Sequence, residues 1–383
     1  MRWSSLAGGS VGALALAAGL CLALANDLPP WRPDELASIA SLGPWPPPPV
    51  RDASNRVSGR AEAAALGEVL FHSTRLSTVG GLRCASCHAP WRHFTDGRAH
   101  ALGAEAGARN TPSLLNVRQQ HWFGWDGAND SLWAQSIRPM LDAREMRSDA
   151  AHVAQALRDD ETLKRLYALA FSHAPPADDE TALVDVGKAL AAYQETLASE
   201  RTPFDAWRDA LVRGDTAAAQ RYPLAAQRGL RLFVGRGRCV ACHAGPNFSD
   251  GEFHRSLIVS TLHDGTRDSG RAHGLEKLLA SPFARNGRFD DQTNVARAPP
   301  ASQPAEAGAF RTPGLREVSA TAPYMHDGSV ANLCNALQPH AALEDRAMPA
   351  LTLAERRDVV AFLRTLAAQE RAVLTDEDAM SCR

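Results

Sequence analysis

The chain has 383 residues, enough for two domains of ordinary size, each with its own core. With 45% hydrophobic and 22% charged residues it reads as folded rather than disordered. A net charge of -2 without a strongly basic patch argues against nucleic acid as a partner.

The first 25 residues read as a secretory signal: Arg2 is followed by an apolar run over 11–24 and by Ala23-Leu24-Ala25, with Asn26 as the expected mature start. The run is short for a membrane span, so cleavage is preferred to an anchor. A periplasmic location is the expectation. Residues 26–50 are Pro-rich, with Pro46 to Pro49 in a row, and read as an extended lead-in rather than a helix. The pattern turns helical over 61–71 and breaks at Gly80-Gly81. Cys84-Ala-Ser-Cys87-His88 follows.

Further helices are expected over 130–141, 150–171, 180–198, 225–234 and 353–368, the last opened by a capping box of Thr352 and Glu355. Strand signals are weak throughout. A second Cys-x-x-Cys-His stands at Cys239-Val-Ala-Cys242-His243. Both copies share flanks. Gly67-x-x-Leu70-Phe71 precedes the first and Gly229-x-x-Leu232-Phe233 the second; Phe94-Thr-Asp-Gly97 follows the first and Phe248-Ser-Asp-Gly251 the second. This looks like a duplicated unit. The expected organisation is all-α, with one domain over 51–215 and another over 216–383. Cys334 and Cys382 remain, and an oxidising compartment allows them to pair or to stay as thiols.

Cys-x-x-Cys-His is the attachment site of c-type haem: two thioethers hold the porphyrin and the His is the proximal iron ligand. A redox dithiol followed by a chance His explains one motif, not two with matching flanks. The cofactors expected are therefore two c-type haems, at Cys84, Cys87 and His88 and at Cys239, Cys242 and His243. A second protein ligand on iron gives electron transfer; an open face admits a small molecule such as peroxide, and cleaving its O–O bond needs an acid–base group.

Several stretches carry a resemblance: Arg109-Asn-Thr-Pro-Ser-Leu-Leu-Asn116, Trp125-Asp-Gly127, Phe310-Arg-Thr-Pro-Gly-Leu-Arg316 and Thr321-Ala-Pro-Tyr-Met-His-Asp-Gly328. Through them the chain resembles the bacterial dihaem cytochrome c peroxidase and MauG superfamily over nearly all of its mature length. The stretch 122–136 looks most like the dihaem enzymes of methanobactin-type operons (MbnH-like). The resemblance implies two cytochrome c-like domains, each around one haem. It also implies a Trp between the haems, then a Gln, a Pro and a Glu over the open one; Trp125, Gln135, Pro139 and Glu145 fall at that spacing. Glu145 is thus the acid–base candidate. The bland alternative is a solvated carboxylate beside Arg144 and Arg147, as plain core is for Trp125.

The resemblance further implies one calcium ion, held by the Asn110 side chain and the carbonyls of Thr321 and Pro323, a hard cation on oxygens. Relatives place a Met or Tyr on the second haem seventeen residues past the Pro matching Pro323; here that position is His340. His340 is the expected sixth ligand, with Met348 or an open face as alternatives. His93 and His100 are read as non-ligands, and His326 as structural. MauG carries a Trp two residues before its second motif, where this chain has Gly237. The implied reaction uses hydrogen peroxide, whose two oxidising equivalents spread over both haems through Trp125. A periplasmic partner protein then supplies electrons, or has a Trp side chain oxidised. The alternatives are peroxide removal at the expense of a small redox protein, and a non-catalytic electron carrier.

Overall fold

The computed structural model describes residues 28–292, 307–338, 350–368 and Cys382. His340 and Met348 lie outside the described residues.

The fold is mostly helical, and the first helix among the described residues is one the sequence reading rejects. Helix α1 (Pro33–Ser41) occupies the Pro-rich lead-in. Pro33 stands at the first helical position, where a fixed φ and a missing N–H are tolerated. Glu35 accepts a hydrogen bond from Arg32 N at 2.8 Å. Proline at a helix start promotes the helix; Pro29 and Pro30 before it and the run from residue 44 to 49 after it stay outside.

Helices α2 (Ala61–His72) and α3 (Leu132–Leu141) fall where expected. The single helix expected over 150–171 is two, α4 (Ala150–Asp159) and α5 (Glu161–Phe171). Asp160 is extended between them, and its carboxylate accepts from the N–H groups of Thr162 and Leu163, which starts a new helix. Helix α6 (Asp179–Gln194) ends four residues short of the expected stop. Helix α7 (Pro203–Val212) was not anticipated, although Pro203 and the capping pair Thr202 and Asp205 signal it. Helices α8 (Leu224–Val234), α9 (Arg271–Ala280) and α10 (Leu353–Arg364) follow, the last with the expected Thr352–Glu355 capping box, and single helical turns stand at Cys84–Cys87, Thr216–Ala219 and Leu333–Ala336. Strands β1 (Phe253–Arg255) and β2 (Ala309–Arg311) pair antiparallel, Phe253 opposite Arg311.

Two hydrophobic cores follow, one per cytochrome c-like domain. Helices α2 to α6 build the first, with Leu66, Leu70, Trp133, Ile137, Tyr167 and Leu190 fully buried. The second takes Phe233 and Leu230 from α8 and Phe362 from α10, with Ile39 and Phe204 contributed by α1 and α7. In return, Phe283 and Phe289 pack against the first core. There Lys188 donates to Asp291 Oδ2 at 2.6 Å and to Phe289 O at 2.8 Å.

The duplicated Gly-x-x-Leu-Phe has a structural cause. A Cβ on Gly67 would lie 2.1 Å from Ala189 O of α6, and one on Gly229 would lie 1.9 Å from Asp358 O of α10. Each glycine lets two helices touch backbone to backbone, and each domain repeats that crossing.

Cys334 and Cys382 form a disulfide that spans 48 positions. Replacing both with Ser is expected to cost about 2 kcal/mol, the lower end of the usual range for a disulfide. Denaturant unfolding without reductant, compared with the parent chain, checks this. Among the described residues no helix is long and apolar enough to cross a membrane.

Candidate functional site

Each Cys-x-x-Cys-His forms one tight turn. His88 N donates to Cys84 O and His243 N to Cys239 O, both at 2.9 Å, so each His sits directly under its cysteine pair. Neither pair is disulfide-bonded. Burial pushes the Cys84 and Cys239 thiols up to about 12 and the Cys87 thiol up to about 11. Redox-active Cys-x-x-Cys pairs show the opposite, a lowered thiol pKa.

The duplicated tail orients the histidines. Phe94 and Phe248 both adopt positive φ, 58° and 54°, which turns their carbonyls inward. His88 Nδ1 donates to Phe94 O at 3.1 Å, and His243 Nδ1 donates to Phe248 O at 3.0 Å. A carbonyl only accepts, so the proton is on Nδ1 and Nε2 carries the lone pair an iron needs. Burial also lowers the His88 pKa, which keeps the ring neutral. The ligand atoms of Cys242, Asp250 and His254 lie within 4.8 Å of one another, but Cys242 belongs to the Cys-x-x-Cys-His motif, which calls for a thioether there.

Each motif opens onto a cavity. The first, of about 390 Å³, is lined by Cys84, Cys87 and His88; the second, of about 300 Å³, by Cys239, Cys242 and His243. The donor sets fit two c-type haems. Trp125, Gln135, Pro139 and Glu145 all line the first cavity. Trp125 lines both, in a wall shared with Asn110 and Arg311. Its Nε1 donates to Asn110 O at 2.9 Å, and its own carbonyl accepts from Arg311 N at 2.9 Å. Gln135 Oε1 accepts from Asn129 Nδ2 at 2.8 Å, which leaves the Gln135 amide N–H groups as donors. Pro139 lies inside the last turn of helix α3.

Glu145 does not pair with its sequence neighbours. Arg138 Nη2 meets Glu145 Oε1 at 2.9 Å, whereas Arg144 and Arg147 turn to Glu105. Carboxylates line only the first cavity; none lines the second among the described residues. His263 and His273, which the sequence reading did not single out, also border the first cavity. His93 and His100 line neither. His326 is buried, stacks on Phe310 at 3.6 Å, and is bonded to Ser260 through Nε2 at 2.8 Å.

Comparisons with known proteins agree with this geometry. A family described as di-haem cytochrome c peroxidase matches residues 61–215. The methylamine utilization protein MauG of Methylophilus methylotrophus is 32% identical over 80% of this chain and 82% of its own length. The chain belongs to the MauG and di-haem cytochrome c peroxidase family. A cytochrome-c peroxidase of Denitromonas iodatirespirans is 32% identical over 89% of this chain and 90% of its own. A solved MauG-like protein associated with microbial copper homeostasis superposes with a TM-score of 0.64 at 27% identity, covering 89% of this chain and 96% of its own. Membership in the MauG family makes the chain a dihaem oxidoreductase with two c-type haems and peroxidase-type activity on hydrogen peroxide.

The two haem domains meet at a buried charge cluster beside Trp125. Arg109 donates to Asp126 at 2.5 Å and, through two nitrogens, to Asp268 at 2.7 Å. Burial alone would raise both carboxyls, but Arg109 outweighs it and holds them below the ordinary value. Groups depressed in the folded state stabilise it fully above the unfolded pKa of about 3.9 and lose that contribution as pH falls from there through the lowered folded pKa. Thermal stability is therefore expected to fall steeply below about pH 4, in a component that Arg109→Met removes. Melting curves of both proteins between neutral and acid pH measure it.

Proposed function

We propose that this chain is a periplasmic enzyme that uses hydrogen peroxide to oxidise a Trp side chain on a partner protein. The observation that carries the reading is Trp125, in the wall common to both cavities, with Glu145 and Gln135 in the first alone. The haem bound at His88 supplies the redox chemistry of peroxide cleavage. Glu145 carries the proton from one peroxide oxygen to the other, and Gln135 donates a hydrogen bond to peroxide. Pro139 shapes the wall above them. Trp125 would be the side chain between the two haem sites through which oxidising equivalents spread; His243, and in this reading His340, would hold the second haem's iron. Asn110, Thr321 and Pro323 hold a calcium ion; all three line the second cavity. The Asn110 amide nitrogen donates to Arg98 O at 2.8 Å, which leaves Oδ1 for a cation.

The sequence resemblance to MauG and the MbnH-like enzymes, which implies a partner side chain as the group oxidised, favours this reading, and relatives named MauG or MauG-like are in keeping with it. Relatives named cytochrome-c peroxidases favour a second reading, peroxide removal with electrons from a small redox protein. A bare electron carrier needs both haems closed and has no use for Glu145.

The test mixes holoenzyme with peroxide and either a reduced small cytochrome or exported proteins encoded beside the gene. Mass spectrometry follows Trp-containing peptides. A peroxide-dependent mass change on a partner Trp supports the proposal. Fast cytochrome oxidation without any such change overturns it in favour of the second reading. In Trp125→Phe, peroxide should still react at the first haem, but oxidising equivalents should no longer equilibrate quickly with the second. Rapid-mixing spectroscopy separates the two events.

A further inference from the structure

Arg311 ends strand β2 and is 4% exposed. Its guanidinium meets carbonyls only: Nε donates to Gly124 O at 3.3 Å and Nη1 to Thr312 O at 3.2 Å. Among the described residues no carboxylate pairs with it, and Nη2 has no protein partner. Burial alone acts on the group and pushes its pKa down to about 10.

Two other buried arginines nearby are paired with carboxylates, whereas Arg271 rests on the carbonyl of Gly127 and on the rings of Trp122 and Phe253. Arg316, five positions on, grips both oxygens of Asp205 at 2.9 Å. Arg109 holds Asp126 and Asp268. A buried cation without a counter-ion is strongly unfavourable, so an anion outside the polypeptide is called for. Arg311 lines both cavities, so that anion must come from what fills them. Each haem brings two carboxylates on its propionate arms, and a guanidinium fork matches a carboxylate in geometry and charge.

We propose that Arg311 is the counter-ion of a haem propionate at the wall between the two cavities. This rests on the presence of the haems and not on the roles given to Glu145 or Trp125. Arg311 N also donates to Trp125 O at 2.9 Å, so one residue ties the propionate to the turn that carries the shared Trp.

The test is the reduction potential of each haem in Arg311→Gln holoenzyme, by spectroelectrochemical titration. Reduction adds negative charge, which a neighbouring cation stabilises. Removing the cation should shift the reduction equilibrium of at least one haem about tenfold toward the oxidised form, about 59 mV for one electron. Arg311→Lys, which keeps the charge but loses the fork, should shift it less. Two bound haems with unchanged potentials in Arg311→Gln overturn the proposal. Where that variant fails to load both haems, Arg311→Lys carries the test by redox-difference infrared spectroscopy. The propionate carboxylate stretch must move relative to the parent protein, and an unmoved band also overturns the assignment.

Discussion

Glu145→Gln is expected to slow the reaction of the holoenzyme with hydrogen peroxide by about 100- to 10,000-fold, the usual contribution of a positioned acid–base group. O–O cleavage requires a proton to leave one oxygen and reach the other. An amide hydrogen-bonds in the same place but does not shuttle a proton. Glu145 borders the first cavity together with His88 and Gln135, and its partner Arg138 stands 2.9 Å away. That ion pair is partly exposed, so its loss alters stability by less than about 1 kcal/mol. Both haems and their spectra should survive. Stopped-flow absorbance at several peroxide concentrations gives the rate, and a rate equal to the parent's would remove Glu145 from the proton path.

Gly229→Ala is expected to destabilise the second domain by about 3 kcal/mol or more, at or beyond the usual cost of overpacking. The added carbon would sit 1.9 Å from Asp358 O and 2.4 Å from its carbonyl carbon. Both are backbone atoms of α10, which cannot rotate aside as a side chain would. Helices α8 and α10 must therefore separate along their contact. Gly80→Ala is the matched control: nothing lies within 4 Å of its added carbon, and less than about 1 kcal/mol is expected. Denaturant unfolding of both variants decides the point, and equal stabilities would contradict the close crossing.

What could be read from the sequence was what covalent chemistry and local spacing dictate. The haem motifs are such a case, because two thioethers and an iron ligand require three residues at fixed places in a span of five. The flanking Gly-x-x-Leu-Phe and Phe-x-Asp-Gly repeats were visible as repeats, but their causes, a helix crossing and an inward carbonyl for the His, needed three dimensions. Helices α2, α3, α8 and α10 followed from pattern and capping. Helix α1 was lost because proline was weighed as a breaker rather than as a first residue. The break at Asp160 was missed because a helical period runs through it. Glu145 illustrates the limit at the site: Arg144 and Arg147 are adjacent in sequence, yet Arg138, seven positions back, is its partner. Arg109 with Asp268, and Arg311 with Gly124, join residues more than 150 positions apart, for which a single sequence carries no signal.

Helix α1 bears on how such a protein can be rearranged. Trp31, just before it, meets Trp207 edge-on at 5.8 Å, and Arg231 lies 4.5 Å over the Trp31 ring. Ile39 is fully buried in the second core. The domain around the second haem is thus encoded by separated pieces of the gene, one of them ahead of the first domain. Recombination at a single point between the two haem motifs would hand a new partner half a domain that lacks the wall formed by α1. A viable exchange of the second unit has to carry the segment around residues 31–42 along with α7, α8 and α10. The two halves of this chain are therefore poor cassettes, despite their repeated motifs.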